Sequence, residues 1–334
     1  MGLRQRRPRW GASVMFLVDD PPPVPPPPAA DIAAGSSWVQ RVAAASVPYL
    51  YLLPALASFA VWVYLPLADT IRYSTVSWNL LPTSPQTEVG LANYRNVFAL
   101  PQIRQALGTT GLYLAGLVVL GVLVPVLLGV VTRSLGARAR GAYHSVLFVP
   151  VLVSPIVAGI MWSFLLAPNG GVVNDLLARL GFAAHNWLLE PGTARGSVVL
   201  ITGWKVLGAS VLIVTAGLAA ISPEYHEAAA IDGAGRLRTI REVTVPLLSP
   251  TLLFLFTTAV LLSESQIIFP LVNSLTSGGP GNATSDLYYL LYSSGFTSFD
   301  VGYASAAGVL FFAAFAVIAV ACVALLDRFS FFQD

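Results

Sequence analysis

Residues 222–250 read SPEYHEAAAIDGAGRLRTIREVTVPLLSP, a polar stretch between two long apolar runs. Ser222 and Pro223 predict the start of a short helix, because serine caps a first turn and proline fits the first helical position. Gly233 and Gly235 predict a turn after this helix, since glycine adopts backbone angles that other residues avoid. Two short helices joined by a turn are therefore expected here.

The second short helix is predicted over residues 236–243, and Pro246 is expected to end it. Its apolar side is predicted to carry three residues at helical spacing: Leu237, Ile240 and Val243. Its other side is predicted to carry three arginines that point toward water or lipid headgroups: Arg236, Arg238 and Arg241. The stretch predicts a folded hairpin at a membrane surface.

Composition places the whole chain in the membrane class. The chain has 334 residues, of which 56% are hydrophobic and 10% are charged, too apolar for a water-soluble fold. The net charge of +2 comes from basic residues scattered between apolar runs, so no nucleic-acid partner is indicated. The single cysteine, Cys322, cannot form an internal disulfide.

Six apolar windows that carry few or no charges are long enough to cross a bilayer core as helices, which takes about 20 residues. They are residues 47–68, 109–131, 145–166, 197–221, 247–272 and 303–326. Pro54, Pro125 and Pro155 predict kinks in or beside these helices. The expected fold class is an all-α integral membrane protein with six transmembrane helices.

The distribution of arginine predicts the orientation of these helices. Positive residues are retained on the cytoplasmic side of a membrane. Most arginines fall before the first window, after the second, or within residues 222–250, and a six-helix topology places these three segments on one side. Both termini and residues 222–250 are therefore expected in the cytoplasm.

The N-terminal segment differs from the rest of the chain. Residues 1–46 begin with several arginines and contain the run PPPVPPPP at 21–28, which favours extended polyproline geometry and cannot bury a core. We expect a disordered cytoplasmic tail at 1–46, followed by the transmembrane domain at 47–330.

Part of the polar stretch resembles the "EAA" loop of permease subunits in bacterial ABC importers, in both order and spacing. The residues that carry this resemblance are Glu227, Ala228, Ala229, Asp232, Gly233, Ala234, Ile240 and Pro246. In that family the loop is a coupling helix that seats in a groove of the ATP-hydrolysing subunit. The resemblance implies this ATPase-coupling role for the same residues, and the alternative is an ordinary amphipathic hairpin on the membrane surface.

Two further segments resemble the carbohydrate-uptake type of this family. Residues 89–98, VGLANYRNVF, are similar to its "GL-NY" segment, and residues 275–280, LTSGGP, look like its loop before the last span. Several later residues also stand where that subfamily commonly has them: Thr284, Leu287, Tyr292, Phe296, Gly302, Tyr303 and Ala304. Phe269 is followed by Pro270, where family members tend to have an acidic or polar residue, and this departure leaves the substrate open.

The resemblance implies a permease subunit in the bacterial cell (inner) membrane that moves a sugar, an oligosaccharide or a glycerol-phosphate compound. It also implies three kinds of partner: a second homologous permease chain, two ATPase subunits, and an extracellular or periplasmic substrate-binding protein. The chain is also expected to contact the surrounding membrane lipid.

The chain itself is not expected to be an enzyme. The only lysine, Lys205, is preceded by Gly203 and Trp204 within a predicted span, so no glycine-rich phosphate-binding loop is present. ATP and magnesium are therefore expected in the partner ATPase. His144, His185 and His226 lack metal-ligand spacing, so no cofactor or metal is expected in this chain.

Polar residues at membrane depth are candidates for a substrate path, because such groups face a cavity or another helix. The candidates are Lys205, Ser263, Glu264, Ser265, Gln266 and Asn273. The alternative role for these polar groups is to hold helices together.

Lys205 and Glu264 are the charged members of this set. Counting about 1.5 Å per helical residue places both about 25 to 27 Å from the cytoplasmic turn, so an ion pair between them is one expectation. The other is that Lys205 extends to the outer headgroups while Glu264 faces the cavity alone. These intramembrane charges also motivate a second function, an ion-coupled secondary transporter, and a third hypothesis is a membrane scaffold or receptor.

Overall fold

The computed structural model describes residues 38–132 and 135–329, and the chain divides into two units, Met1–Val63 and Tyr64–Asp334. In the first unit, helix α1 spans Trp38–Phe59 and continues past Pro54, which does not interrupt it. Helix α1 thus begins inside the segment 1–46 that we predicted to be a disordered tail. The first 37 residues of that segment lie outside the described residues.

The second unit is almost entirely helical. Its helices are α2 (Leu65–Tyr73), α3 (Ala92–Ala99), α4 (Pro101–Val118), α5 (Val124–Thr132), α6 (Ala137–Leu152), α7 (Pro155–Leu165), α8 (Val172–Arg179), α9 (Pro191–Ala220), α10 (Pro223–Ile231), α11 (Arg236–Thr239), α12 (Val245–Ser263), α13 (Phe269–Leu275), α14 (Leu287–Tyr292) and α15 (Val301–Phe329). Five π-helical turns adjoin them, at Ala60–Tyr64, Val119–Leu123, Ile240–Thr244, Glu264–Ile268 and Ser293–Thr297. Strands β1 (Val76–Ser77) and β2 (Thr87–Glu88) pair antiparallel, with Val76 opposite Glu88.

The predicted membrane helices are present. Among the described residues, five helical stretches are long and apolar enough to cross a bilayer: Tyr49–Tyr73, Pro101–Thr132, Pro191–Ala220, Arg236–Leu261 and Val301–Ala324. The pair Ala137–Leu152 and Pro155–Leu165 meets the same test together but bends by 98° between its halves. Five of the six sequence windows therefore correspond to spanning helices in the expected order, and the third window corresponds to the bent pair, which gives a sixth span if its two halves cross the bilayer together.

The break between α6 and α7 has a local cause. A residue before proline avoids helical angles, and Ser154, which precedes Pro155, is extended with ψ 142°. Val153 is extended as well, with ψ 130°, and Pro150 lies inside the last turn of α6. The kink expected at Pro155 is therefore confirmed, and it leaves carbonyl groups at the end of α6 without helical partners.

Prolines also account for three π-helical turns beyond residue 118. The turns Val119–Leu123, Ile240–Thr244 and Glu264–Ile268 each end two residues before a proline, at Pro125, Pro246 and Pro270. A proline ring clashes with the carbonyl four residues earlier, and in all three cases that carbonyl lies inside the wider turn. Our prediction that Pro246 ends the second hairpin helix is wrong, because this turn carries the helix past it into α12.

Helix α9 is the centre of the second unit, packing against α4, α5, α6 and α12. Val198, Val211 and Val214 on this helix are fully buried. Gly208 lets α6 approach closely, because an added Cβ atom there would overlap the carbonyl oxygen of Leu147. Small residues at such crossings are typical of helices that pack within membranes.

The segment 89–98 fastens α3 to the end of α2. Asn93 is buried, and its amide donates hydrogen bonds to the carbonyls of Ser74 at 2.9 Å and Val76 at 3.0 Å. The hydroxyls of Tyr94 and Ser74 lie 2.8 Å apart. Gly302 of α15 packs against the same Val76 carbonyl, which leaves no room for a side chain. The "GL-NY" residues thus have a structural role here.

Candidate functional site

The candidate coupling loop is a hairpin of α10 and α11, and its turn depends on Gly233. The N–H of Ala234 donates to the carbonyl of Ala229 at 2.9 Å, and the N–H of Gly233 donates to the carbonyl of Ala230 at 3.1 Å. This pair of bonds is a Schellman motif, which requires a left-handed residue at its centre. Gly233 provides it with φ +72°.

The start of α10 follows the sequence expectation in part. Ser222 occupies the N-cap position and Pro223 the first turn, but the serine side chain makes no capping hydrogen bond. Ala229 is buried against the rest of the hairpin, whereas Glu227, Ala228 and Asp232 are exposed.

A few polar contacts hold the second arm of the hairpin in place. The buried Thr244 hydroxyl lies 3.4 Å from Nε2 of His226 on α10. Arg238 forms an exposed ion pair with Glu242 one turn later, with 2.8 Å between Nε and Oε2. Ile240 is half-buried, and Pro246 is exposed where the arm continues into α12.

Two large apolar side chains of the hairpin are exposed. Ile231 is 86% exposed and Leu237 is 80% exposed. Leu237 was predicted to lie on one side of the second helix with Ile240 and Val243; of these three, Ile240 and Val243 are half-buried and Leu237 is exposed. Between the arms lies a groove of about 330 Å³ whose walls include Asp232, Arg238 and Glu242. We call the surface formed by Ile231, Leu237 and this groove the hairpin surface.

The polar path candidates do not come together as one cluster. Glu264 begins the π-helical turn Glu264–Ile268 and is 2% exposed. Ser265 is half-buried, whereas Gln266 and Asn273 are exposed. The side chain of Ser263 lies outside the described part of the structure.

Lys205 binds backbone and not Glu264. Its ammonium group donates to the carbonyl of Pro150 at 2.9 Å and to the carbonyl of Val153. Both carbonyls lie at the break between α6 and α7, and the Pro150 carbonyl also accepts the N–H of Val153 at 3.3 Å. A lysine is favoured at such a helix end. Lys205 is 5% exposed and forms no ion pair within the described residues. Both expectations, the pair with Glu264 and the extension to headgroups, are therefore wrong.

Glu264 has a different charged neighbour, Asp286, which the sequence analysis missed. The two carboxyl groups interact electrostatically, and Asp286 is fully buried. Its Oδ1 accepts the N–H of Tyr289 at 2.6 Å, capping α14, and burial raises the pKa of Asp286 to about 6. The sequence signal was available, since Ser285-Asp286 directly before an apolar helical run is typical of a helix start.

The loop from Leu275 to Asp286 is fixed to α4 and α9 by hydrogen bonds. The Thr284 hydroxyl is buried and lies 2.7 Å from the hydroxyl of Thr276. From α4, Tyr113 donates to the carbonyl of Thr284 at 3.1 Å, and from α9, Nε of Arg195 donates to the carbonyl of Ala283 at 2.7 Å. This loop is a rigid wall beside Glu264.

Phe269, which precedes the departure from the family pattern at Pro270, belongs to an aromatic group. Its ring centroid lies 5.1 Å from that of Tyr288 and 5.0 Å from that of Tyr292, and Tyr292 stacks on Phe296 at 5.3 Å. These rings line a cavity of about 530 Å³ beside α15. Among the described residues, no three histidine, cysteine, aspartate or glutamate side chains are grouped so as to hold a metal ion.

Comparisons with known proteins agree on one family. Residues 121–330 match the family described as binding-protein-dependent transport system inner membrane component. The sn-glycerol-3-phosphate transport system permease protein UgpA of Yersinia pestis bv. Antiqua is 32% identical over 264 residues, which cover 79% of this chain and 88% of the relative. The probable ABC transporter permease protein YurN of Bacillus subtilis is 33% identical over 265 residues, covering 78% of this chain and 89% of the relative.

Solved structures show the same fold. A chain from the crystal structure of a bacterial ABC transporter involved in the import of the acidic polysaccharide alginate superposes with a TM-score of 0.73 at 20% identity, covering 87% of this chain and 99% of that one. A chain from the alginate transporter in complex with an alginate pentasaccharide-bound periplasmic protein gives a TM-score of 0.72 at 21% identity, covering 89% and 98%.

The Gly233 turn generates the first prediction. Gly233→Val should speed amide exchange in residues 222–250 by about 5- to 30-fold, because a left-handed backbone penalises a side chain by about 1 to 2 kcal/mol. Gly233→Ala should have a smaller effect than valine, and Gly233→Asn the smallest, since asparagine tolerates this conformation. Hydrogen exchange followed by mass spectrometry measures this.

The control is Gly235→Ala. Gly235 has φ −67°, and an added Cβ atom at either glycine meets no atom within 4 Å. Equal exchange in the valine and alanine variants at Gly233 would show that the turn does not depend on its backbone angle.

The Lys205 contacts generate the second prediction. Lys205→Met should lower the melting temperature and the yield of monodisperse protein, because the Val153 carbonyl loses its lysine donor and a carbonyl left unpaired away from water costs about 1 to 3 kcal/mol. Lys205→Glu combined with Glu264→Lys should not restore stability, since the partner of Lys205 is backbone. Size-exclusion chromatography and thermal unfolding in detergent measure both, with Gln266→Met as an exposed control. Full recovery in the double variant would contradict the structure.

Proposed function

The chain belongs to the family of binding-protein-dependent transport system inner membrane components, and we propose that with a second permease chain it encloses the path of an ATP-driven sugar, oligosaccharide or glycerol-phosphate importer. The chain is a multi-pass permease subunit of the bacterial inner membrane. Its relatives include permeases named for sn-glycerol 3-phosphate and a transporter for alginate, and these names support the substrate class that we propose.

The single observation that carries the coupling role is the exposed hairpin surface. Ile231 and Leu237 are apolar and point away from the chain, on a hairpin that its own hydrogen bonds already fold. Exposed apolar groups beside a groove are typical of a protein contact. We propose that this surface seats on the ATP-hydrolysing subunit and that Glu227 and Asp232 form the polar rim of the contact.

This role requires the hairpin to lie in the cytoplasm together with both termini. The distribution of arginine supports that orientation. The residues before Trp38 then form a cytoplasmic tail. ATP and magnesium bind to two ATPase subunits, and this chain hydrolyses nothing itself.

The substrate-binding protein is proposed to dock on the external side of this chain, opposite the hairpin. The loop from Leu275 to Asp286 and the segment around Asn93 lie on the side away from the hairpin in the predicted topology, and their dense hydrogen bonding suits a fixed docking platform. One structural relative was solved with a periplasmic protein that carries an alginate pentasaccharide.

For the substrate path we retain the exposed polar residues. Gln266 and Asn273 present amide groups on membrane helices α12–α13, with Ser265 half-buried beside them and Ser263 and Glu264 in the preceding turn. Polar groups exposed at membrane depth face a cavity or a second chain. In the proposed importer, the second permease chain would both contact these groups and close the cavity.

We exclude Lys205 from the residues proposed to line the substrate path, because it is buried against the backbone of α6 and α7. Family membership also favours the ABC importer over the ion-coupled transporter that the intramembrane charges Lys205 and Glu264 suggested.

The coupling role generates the third prediction. Leu237→Ser should reduce ATP-driven uptake by about 10- to 100-fold, because burying a leucine side chain contributes about 1.5 to 3 kcal/mol to a contact. Protein amount should not change, since Leu237 is exposed. Uptake into vesicles loaded with ATP, together with quantification of the chain, measures this.

The matched control is Leu180→Ser. Leu180 is 73% exposed but lies in the predicted external loop after α8. Undiminished uptake in the Leu237 variant, or equal loss in both, would count against the docking role.

A further inference from the structure

A second, polar pocket opens between the end of α3, the loop before α14 and the start of α15. Its volume is about 540 Å³, within the range of sites that bind small molecules. Its polar lining includes Asn96, Gln102, Asn282, Ser294, Asp300 and Tyr303. We call this site the polar pocket.

Tyr303 is the strongest sign that the polar pocket takes a ligand. The side chain is 7% exposed, and its hydroxyl has no hydrogen-bond partner among the described residues. A buried hydroxyl without a partner costs free energy, so such groups pair with protein, water or a ligand. Tyr303 is one of the residues that line the pocket. Its hydroxyl oxygen is itself covered, so a bound hydroxyl group can pair with it only after a small movement of the side chain.

The walls of the polar pocket are fixed by backbone contacts. The amide of Gln105 donates to the carbonyl of Gly281 at 3.3 Å, which holds the loop beside Asn282. On the other side, the N–H of Asp300 donates to the carbonyl of Ser294 at 2.9 Å. The site is therefore formed before any ligand arrives.

The π-helical turn Ser293–Thr297 contributes to this wall and is not explained by a proline. No proline follows it, in contrast to the three π-helical turns between residues 118 and 269. Phe299, just after the turn, has φ +55°, a strained angle for a bulky residue. Isolated π-helical turns and strained residues occur frequently at functional sites.

The charge of the lining selects against an anion. The lining contains no lysine or arginine, and its one acidic side chain is Asp300. The carboxylate of Asp300 accepts the N–H of Tyr303 at 3.1 Å, so it occupies the start of α15 where an anion would otherwise bind. A phosphate or uronate group would meet this carboxylate without any cation to balance it.

The uncharged groups of the lining match a ligand rich in hydroxyls. Asn96, Gln102 and Asn282 expose amide groups, each of which can donate and accept hydrogen bonds. A neighbouring cavity of about 360 Å³ shares Asp300 and contains the half-exposed ring of Trp78. An aromatic face beside paired donors and acceptors suits the apolar and polar faces of a sugar ring.

We propose that the polar pocket binds a neutral saccharide or polyol on the external face, where the solute rests before it enters the path. The proposal rests on the proposed function only in taking the ligand to be the transported solute. It narrows the substrate class to uncharged polyhydroxylated compounds.

Direct binding to the purified full-length chain in nanodiscs tests the proposal. The probes are glycerol, maltose and raffinose as neutral ligands and sn-glycerol 3-phosphate as the anionic one, followed by saturation-transfer NMR. At least one neutral probe should bind, and sn-glycerol 3-phosphate should bind more weakly than that probe. Tyr303→Phe should weaken binding by about 3- to 10-fold, the effect of one hydrogen bond.

A second readout separates a binding role from a structural one. Tyr303→Phe removes a hydroxyl that has no partner, so the melting temperature without ligand should stay the same or rise. Asn96→Ala should also weaken binding, and because Asn96 is exposed its folding should be unaffected. Tyr143→Phe, on α6 outside the lining, is the matched control.

The proposal is overturned if no neutral probe binds, if sn-glycerol 3-phosphate binds as well as the neutral probes, or if Tyr303→Phe and Asn96→Ala both leave binding unchanged. These results concern the pocket alone, because the experiment contains neither ATP nor ATPase. Failure of the permease role would instead appear as ATP-independent uptake while saccharide binding persists.

Discussion

A polypeptide inside a bilayer has to satisfy each backbone N–H and C=O group without water, and the break between α6 and α7 is where this chain meets that requirement most visibly. The chain bends by 98° between α6 and α7, and Lys205 reaches across from α9 to donate to two carbonyls at this bend, those of Pro150 and Val153. The lysine therefore holds a bent span against the central helix. The same helix α9 ends at Ala220, directly before the hairpin.

The same requirement explains other irregular parts of the fold. π-helical turns make room for Pro125, Pro246 and Pro270 without ending their helices. Two carbonyls of the loop before α14 accept hydrogen bonds from the side chains of Tyr113 and Arg195. Two departures from these rules, the turn at Ser293–Thr297 and the unpaired hydroxyl of Tyr303, belong to residues that line one pocket.

Local signals in the sequence were sufficient for the spans and the hairpin turn. The apolar windows alone predict the membrane spans. The turn needs a residue with a positive φ angle, which identifies Gly233. Contacts between distant residues could not be obtained in this way. The partner of Lys205 is a carbonyl 55 residues away, which no side-chain pattern reveals. The passage of the helix through Pro246 was missed because a π-helical turn has no clear sequence signature.

Family membership assigns this chain to the membrane part of an ABC importer. Our proposal adds that the ATP-hydrolysing subunit drives it through the exposed side chains Ile231 and Leu237. The most direct measurement is photocross-linking in cells that produce the complete transporter, with a photoreactive amino acid placed in turn at Ile231, Leu237 and Leu180. The first two positions should form adducts with the ATP-hydrolysing chain, and Leu180 should not. Adducts with lipid alone, or the same adduct from all three positions, would contradict this assignment.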